Sequence, residues 1–272
     1  MTTRADPALP HTPPLPRKPT PIWQTAISVT VTVIVIAAVW LVDINWSRLA
    51  ALPSEIIRYI GLLFGSPNWS DLPEALRQTW NSVAMAWLGT VLGVLVSLPL
   101  SLIAARGIGP VWLRAPIRGL FALIRAVPEI IIAIVILSVT GLTPFTGALA
   151  LAVGSVGQLG KWGFEAIESA DTGPAEAARA AGGSLWQVVR TGVWPQVTSE
   201  YISFWLYRFE INVRASAVLG LIGVGGVGDM LTSYTQYRQW DTVGVLIIVV
   251  VTVTLAIDAF SSWLRSVLAK GA

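Results

Sequence analysis

Residues 22–42, IWQTAISVTVTVIVIAAVWLV, run uncharged for about twenty positions, the length a helix needs to cross the hydrocarbon of a bilayer. Comparable apolar runs recur at residues 78–105, 117–142, 144–159, 199–224 and 242–264. A soluble core built from 272 residues has no need of such runs, so the 54% apolar and 12% charged composition reads as membrane. The sequence therefore predicts an all-α integral membrane protein with about six transmembrane helices. Zero cysteines exclude a disulfide framework and a thiolate metal site. The one histidine, His11, lies in a proline-rich tail, so neither histidine catalysis nor a metal centre is expected.

Residues 1–21 hold seven prolines with Arg17 and Lys18, the pattern of a solvated tail. The run from Ile22 is too long for most signal-peptide cores and is read as a retained first helix. In residues 43–76, Leu49, Leu52, Ile56, Ile57, Ile60, Leu63 and Phe64 fall at helical spacing between Trp46 and Trp69. An amphipathic helix at the outer interface fits that pattern, and so does an irregular segment cut short by Pro53 and Pro67. Gly89, Gly93 and Ser97 recur every four residues, a small-residue face for close helix packing. Pro128 is expected to break or kink the run at 117–142.

Between the fourth and fifth runs lies TGPAEAARAAGGSLWQVVRTGVWPQ, residues 172–196. Pro174 suits the first turn of a helix, and Glu176 complements the positive end of its dipole. Gly182 and Gly183 mark a stop. Ser184 with Gln187 forms a capping box that opens a second helix, which Pro195 is expected to close. Two short helices joined by a glycine turn result.

Glu176, Ala177 and Ala178, followed by Gly182 and Pro195, resemble the docking loop of ATP-binding-cassette (ABC) importer permeases, the membrane subunits of these transporters. The family usually carries Ile and Leu before the final proline, where this chain has Gly192 and Trp194. The stretch RASAVLGLIGVGGVG from Arg214, and the Asn-Ser and Leu-Pro-Leu-Ser-Leu character of residues 78–105, resemble phosphonate and phosphate importer permeases. The resemblance covers residues 76–268 and implies a transport core with cytoplasmic coupling helices in residues 161–196. Residues 22–75 would hold the first helix and the amphipathic segment. It also implies partners: a cytoplasmic ATPase dimer gripping the Glu176 loops, an extracytoplasmic binding protein and a second copy of the chain. ATP and Mg would belong to the ATPase, because no Gly-x-x-x-x-Gly-Lys-Ser/Thr stands in this sequence.

Charge asymmetry agrees independently. With six spans and both termini inside a bacterial plasma membrane, twelve of the eighteen Lys and Arg fall on cytoplasmic segments. Only Arg48, Arg58, Arg77 and Arg238 fall outside, and Arg208 and Arg214 lie within the membrane. Since the basic residues punctuate spans and form no patch, the bilayer and not nucleic acid is the expected surface.

Arg208, Glu210, Arg214, Ser216 and Asp258 are the candidate pathway or gate residues, because ionisable groups at hydrocarbon depth face a bundle interior or a pathway. Two readings stand. The arginines, whose planar forks suit phosphate or phosphonate oxygens, would contact an anion. Alternatively Glu210 pairs with Arg214 four residues on, and Arg208 pairs with Asp258 between helices. Phosphonate or phosphate is the expected cargo, and methionine or another amino acid the alternative. An intramembrane enzyme would need a nucleophile with its base, a carboxylate dyad or a metal, and no such spacing stands here. A non-transport membrane scaffold remains a different class, separable by uptake.

Overall fold

The computed structural model describes residues 22–42 and 45–270. The proline-rich tail, with His11, Arg17 and Lys18, lies outside the described residues. Among those described there are helices and no strand. The chain divides into two units, Met1–Ile57 and Arg58–Ala272. The first holds α1 (Ile22–Leu41), which matches the first apolar run and buries none of its residues, and the start of α2 (Trp46–Phe64). Pro53 lies inside α2 without ending it, so the segment is helical and not irregular. Proline costs this helix only the bond to the Leu49 carbonyl.

The second unit is a bundle organised around α6 (Pro144–Ser169). α3 (Leu72–Ala104) packs along it through the small-residue face. Gly89 lies against Ala148 and Leu151, and Gly93 against Ala152 and Ser155. Further along, Ser101 donates to the Gly160 carbonyl at 3.2 Å. The contacts advance together, so α3 and α6 run parallel. A side chain at Gly93 would place its Cβ 2.4 Å from Ser155 Cβ, so only glycine permits this approach.

The third apolar run is not one helix. α4 (Val111–Ala126) and α5 (Glu129–Thr140) meet at Val127–Pro128 with a bend of 94°. Pro128 has no N–H to continue α4, and it disfavours a helical Val127, whose ψ is 124°. Among the described residues, three helical stretches, 22–41, 69–104 and 240–268, are long and apolar enough to cross a membrane, and a fourth if the bent pair counts as one span. α6 extends ten residues past the expected end at 159, carrying Lys161 and Glu165, which pair at 3.5 Å. Surrounded by α3, α4, α5 and α9 (Trp194–Gly220), it does not need a lipid-compatible surface.

α9 (Trp194–Gly220) returns antiparallel to α3: Tyr201 meets Ser97, and Asn212 meets Thr90. It ends at Gly220, short of the expected Val224, because Gly223, Gly225 and Gly226 turn the chain at φ of 89°, 91° and 80°. α10 (Val227–Gln236) begins there, with its Val227 N–H donating to Ser82 Oγ at 2.9 Å. α11 (Trp240–Lys270) then runs back along α9. Within this unit the end of α2 rests on α11, Tyr59 edge-on to Trp240 and the Leu63 carbonyl against Gly244.

Candidate functional site

At the end of the bundle where α3 and α6 finish, α7 (Thr172–Ala180) and α8 (Leu185–Val188) form a helical hairpin. Asp171 caps α7 by accepting from the Gly173 N–H at 3.0 Å. Its other end is a Schellman turn: Gly182, at φ 80°, donates to the Arg179 carbonyl, and Gly183 donates to that of Ala178. The expected capping box forms, with the Ser184 N–H donating to Gln187 Oε1 at 2.7 Å.

Pro195 does not close the second helix. A single π-helical turn, Val189–Val193, carries the chain directly into α9, where Pro195 occupies the first turn. Proline is tolerated there because its missing N–H has no intrahelical partner to serve. Gly192, in that π turn, lets α7 come within direct backbone contact: an added Cβ would lie 2.7 Å from Ala175 Cα. This departure from the family's usual residue therefore has a packing role.

The hairpin has two faces. Ala175, Val188 and Val193 are buried with Ile117, Phe121, Phe164 and Ile167 of α4 and α6. Glu176 and Ala177 point outward, as do Leu185 and Trp186. Ala178 is half-buried, Gly182 exposed and Pro195 exposed. Polar ties connect this element to the spans. Asp171 and Gln196 exchange two hydrogen bonds, at 2.9 and 3.0 Å, closing the hairpin's base. Arg179 donates to the Gly107 carbonyl at 3.0 Å, tethering α7 to the α3–α4 connection. Arg118 bonds Glu168 and the Ala104 carbonyl while its guanidinium sits 4.3 Å above the Phe164 ring.

Deeper in the bundle, α9 presents charges on two faces, since residues four apart share a face and residues two apart do not. Arg208 and Asn212 turn inward. Arg208 is 3% exposed; its Nε donates to Ser155 Oγ at 3.0 Å and its Nη2 to Glu129 Oε1. Asn212 Nδ2 donates to Thr90 Oγ1 at 2.8 Å and Ser155 Oγ at 2.9 Å. Glu210 and Arg214 face α11. There Glu210 accepts from Arg265, and Arg214 lies 3.7 Å from Asp258. Ser216 is fully buried and donates to the Val213 carbonyl of its own helix.

Two expected pairings are thus corrected. Glu210 does not pair with Arg214, because the antiparallel α11 offers each an opposite charge, Arg265 and Asp258. Arg208 does not pair with Asp258, because it lies on the opposite face of α9 and meets Glu129 instead. Glu129, Asn212 and Ser155 join the site in the structure and were not among the residues expected there. Asn212 was legible as the residue one turn beyond Arg208, and Glu129 as a charge entering an apolar run behind a proline.

The bundle carries a capped helical hairpin at one end, and the matches that follow assign this arrangement to the membrane subunits of ABC importers. By fold the chain resembles inward-facing structures of the MetNI methionine ABC transporter, at a TM-score of 0.63 and 20% identity over 71% of this chain and 94% of that one. An amino acid ABC transporter crystallised with histidines gives a TM-score of 0.53 at 19% identity over 78% and 96%. Residues 97–271 match the family of binding-protein-dependent transport system inner membrane components, and the chain belongs to that family. Relatives include the phosphate-import permease protein PhnE of Mycolicibacterium smegmatis, 39% identical over 197 residues. That match covers 72% of this chain but 36% of the relative. The phosphite transport system permease protein PtxC of Stutzerimonas stutzeri is 37% identical over 85% of each chain. The all-α membrane fold and the resemblance drawn from residues 172–196 and 214–228 agree with these matches.

Proposed function

We propose that this chain is the membrane-spanning subunit of an ATP-driven importer carrying a phosphorus oxyanion, whether phosphonate, phosphate or phosphite, into the cytoplasm. The observation that carries the reading is the hairpin: Glu176 and Ala177 face outward while Ala175, Val188 and Val193 are locked into the core. The cargo follows the transport functions for which PhnE and PtxC are named. Two copies of the chain form the pathway, an ATPase dimer grips the two hairpins, and an extracytoplasmic binding protein delivers cargo. The chain contributes no catalytic residue and no resident cofactor, since ATP and Mg belong to the ATPase. Both termini lie on the cytoplasmic side of the bacterial plasma membrane, a placement that the charge asymmetry supports.

Closure of the ATPases on ATP displaces the hairpins. Ala175 against Gly192 and Asp171 with Gln196 pass that displacement to α9, and Arg179 at Gly107 passes it to the α3–α4 connection. Arg208, Glu210, Arg214, Ser216 and Asp258 line or gate the route that opens. Transport then needs only different cargo affinities in the inward-open and outward-open states, with no bond in the cargo broken.

The test is ATP-dependent uptake into liposomes containing this chain, its ATPase and its binding protein, comparing phosphate, phosphite, a phosphonate and methionine. Accumulation of a phosphorus oxyanion that is lost in Glu176→Arg supports the reading. Methionine uptake alone would reject the cargo, and no uptake by an assembled complex would reject transport of these solutes.

A further inference from the structure

Arg208 is held unequally from its two sides. On one side Ser155 is saturated: its hydroxyl donates to the Leu151 carbonyl at 2.6 Å and accepts from Arg208 Nε and Asn212 Nδ2. That side is fixed by α6 and α9. On the other side stands Glu129, the first residue of α5, immediately after the 94° break at Val127–Pro128. Its side chain is 26% exposed where that of Arg208 is 3%. The guanidinium is therefore anchored and its carboxylate partner sits on a joint. The carboxylate also fills a space left by the backbone. At Gly154 of α6 an added Cβ would lie 2.5 Å from Glu129 Oε1.

A second observation concerns Asn212. The hydroxyls of Thr90 and Ser155 give their protons to the Ala86 and Leu151 carbonyls, so they meet Asn212 with lone pairs. The amide must donate to both, which fixes its orientation and leaves Oδ1 buried without a partner. An acceptor is thus left vacant in the same hydrogen-bonded cluster as Arg208. A carboxylate, which only accepts, cannot satisfy it. A singly protonated phosphorus oxyanion carries both functions, oxygens that accept and a P–OH that donates.

We propose that Glu129 is a built-in substitute for cargo, occupying Arg208 in this conformation, and that an incoming phosphorus oxyanion displaces it. The oxyanion takes the Arg208 donor through one oxygen and donates its P–OH to Asn212 Oδ1. Displacement frees α5 from its tie to α9, so cargo arrival loosens the α4–α5 joint. The inference rests on the phosphorus-oxyanion reading given above and adds the residues that exchange.

The test uses the complete transporter in nanodiscs without binding protein, following thermal protection against the concentration of phosphite, phosphate, methylphosphonate or sulfate. Glu129→Gln keeps an acceptor for Arg208 but removes the competing charge. Its protection midpoint for phosphite should fall by about tenfold relative to the unsubstituted chain, within the usual range for two coupled ligands. Sulfate, which carries no proton near neutral pH, should protect neither protein in the same range. Gly154→Ala keeps the charge but pushes the carboxylate off Arg208, and its midpoint should also fall; this variant decides the matter if Glu129→Gln fails to assemble. An unchanged midpoint in a folded variant, or sulfate protecting as well as phosphite, overturns the proposal. If the unsubstituted transporter accumulates phosphite while those midpoints stay equal, the exchange is wrong and the transport function stands. If it accumulates no phosphorus oxyanion, the function falls, and this proposal with it.

Discussion

Replacing Gly93 by alanine tests whether α3 and α6 are held together by the absence of a side chain. The added Cβ would stand 2.4 Å from Ser155 Cβ and 3.3 Å from the Ala152 carbonyl oxygen. Carbon atoms pack at about 3.5–4.0 Å, so the helices must part by roughly an ångström. Overfilling a packed interface in this way costs about 1–3 kcal/mol. The same shift carries Ser155 away from Arg208 and Asn212, bonds now at 3.0 and 2.9 Å. Such interhelical bonds are worth about 0.6 kcal/mol each in membranes, and alanine's better helix propensity returns up to about 1 kcal/mol. The net expectation is a loss of about 1–3 kcal/mol.

Gly119 on α4 is the matched control, because nothing lies within 4 Å of its added Cβ. Gly119→Ala should be neutral or stabilising by up to about 1 kcal/mol. Unfolding in mixed micelles of increasing dodecyl sulfate content, followed by tryptophan fluorescence, measures both. Equal stability of Gly93→Ala and the unsubstituted chain, or equal damage from both variants, would refute the close-packing account.

Other changes probe the hairpin and the charges. Gly182 has open space around it but a φ of 80°, so Gly182→Ala should cost about 1–2 kcal/mol of backbone strain and weaken ATPase assembly several-fold. Gly182→Asn should cost less, which binding titrations of the two variants would resolve. Glu210→Ala should destabilise the bundle by about 1–3 kcal/mol in the same micelle assay, below a fully buried pair because Arg265 keeps 28% of its side chain exposed. The exchange Glu210→Arg with Arg265→Glu should recover most of that loss, and no recovery would mean the pair is incidental. Arg214→Ala should abolish uptake while the ATPase still copurifies; normal uptake at normal expression would remove Arg214 from the pathway.

What could be read from the sequence was whatever is decided locally. The Ser184–Gln187 box, the Gly182 stop and the break at Pro128 each depend on a few neighbouring residues, and each stands where expected. The small face at Gly89 and Gly93 followed from spacing alone. The run at 144–159 looked short because Lys161 and Glu165 interrupt its apolarity. An inner helix sheltered by four others is free of the lipid's demands, so α6 continues to Ser169. The charge partners were the least legible part. Which face of α9 meets which helix depends on rotation and on the path of α5, and hydropathy carries neither. Pro195 misled for a related reason: it reads as a stop after one helix or a start for the next, and the π turn at Val189–Val193 makes it a start.

The chain has no cysteine, so Ala177→Cys places a single thiol on the exposed face of α7 beside Glu176. Reacting it with a bulky, membrane-impermeant maleimide, before and after assembly with a cysteine-free ATPase, asks directly whether ATP's work enters the bundle at the hairpin. Entry at the hairpin predicts rapid labelling of the free chain, protection once the ATPase is bound, and loss of ATP-driven uptake when labelling comes first. A thiol labelled equally fast in the assembled transporter, with uptake unaffected, would contradict it.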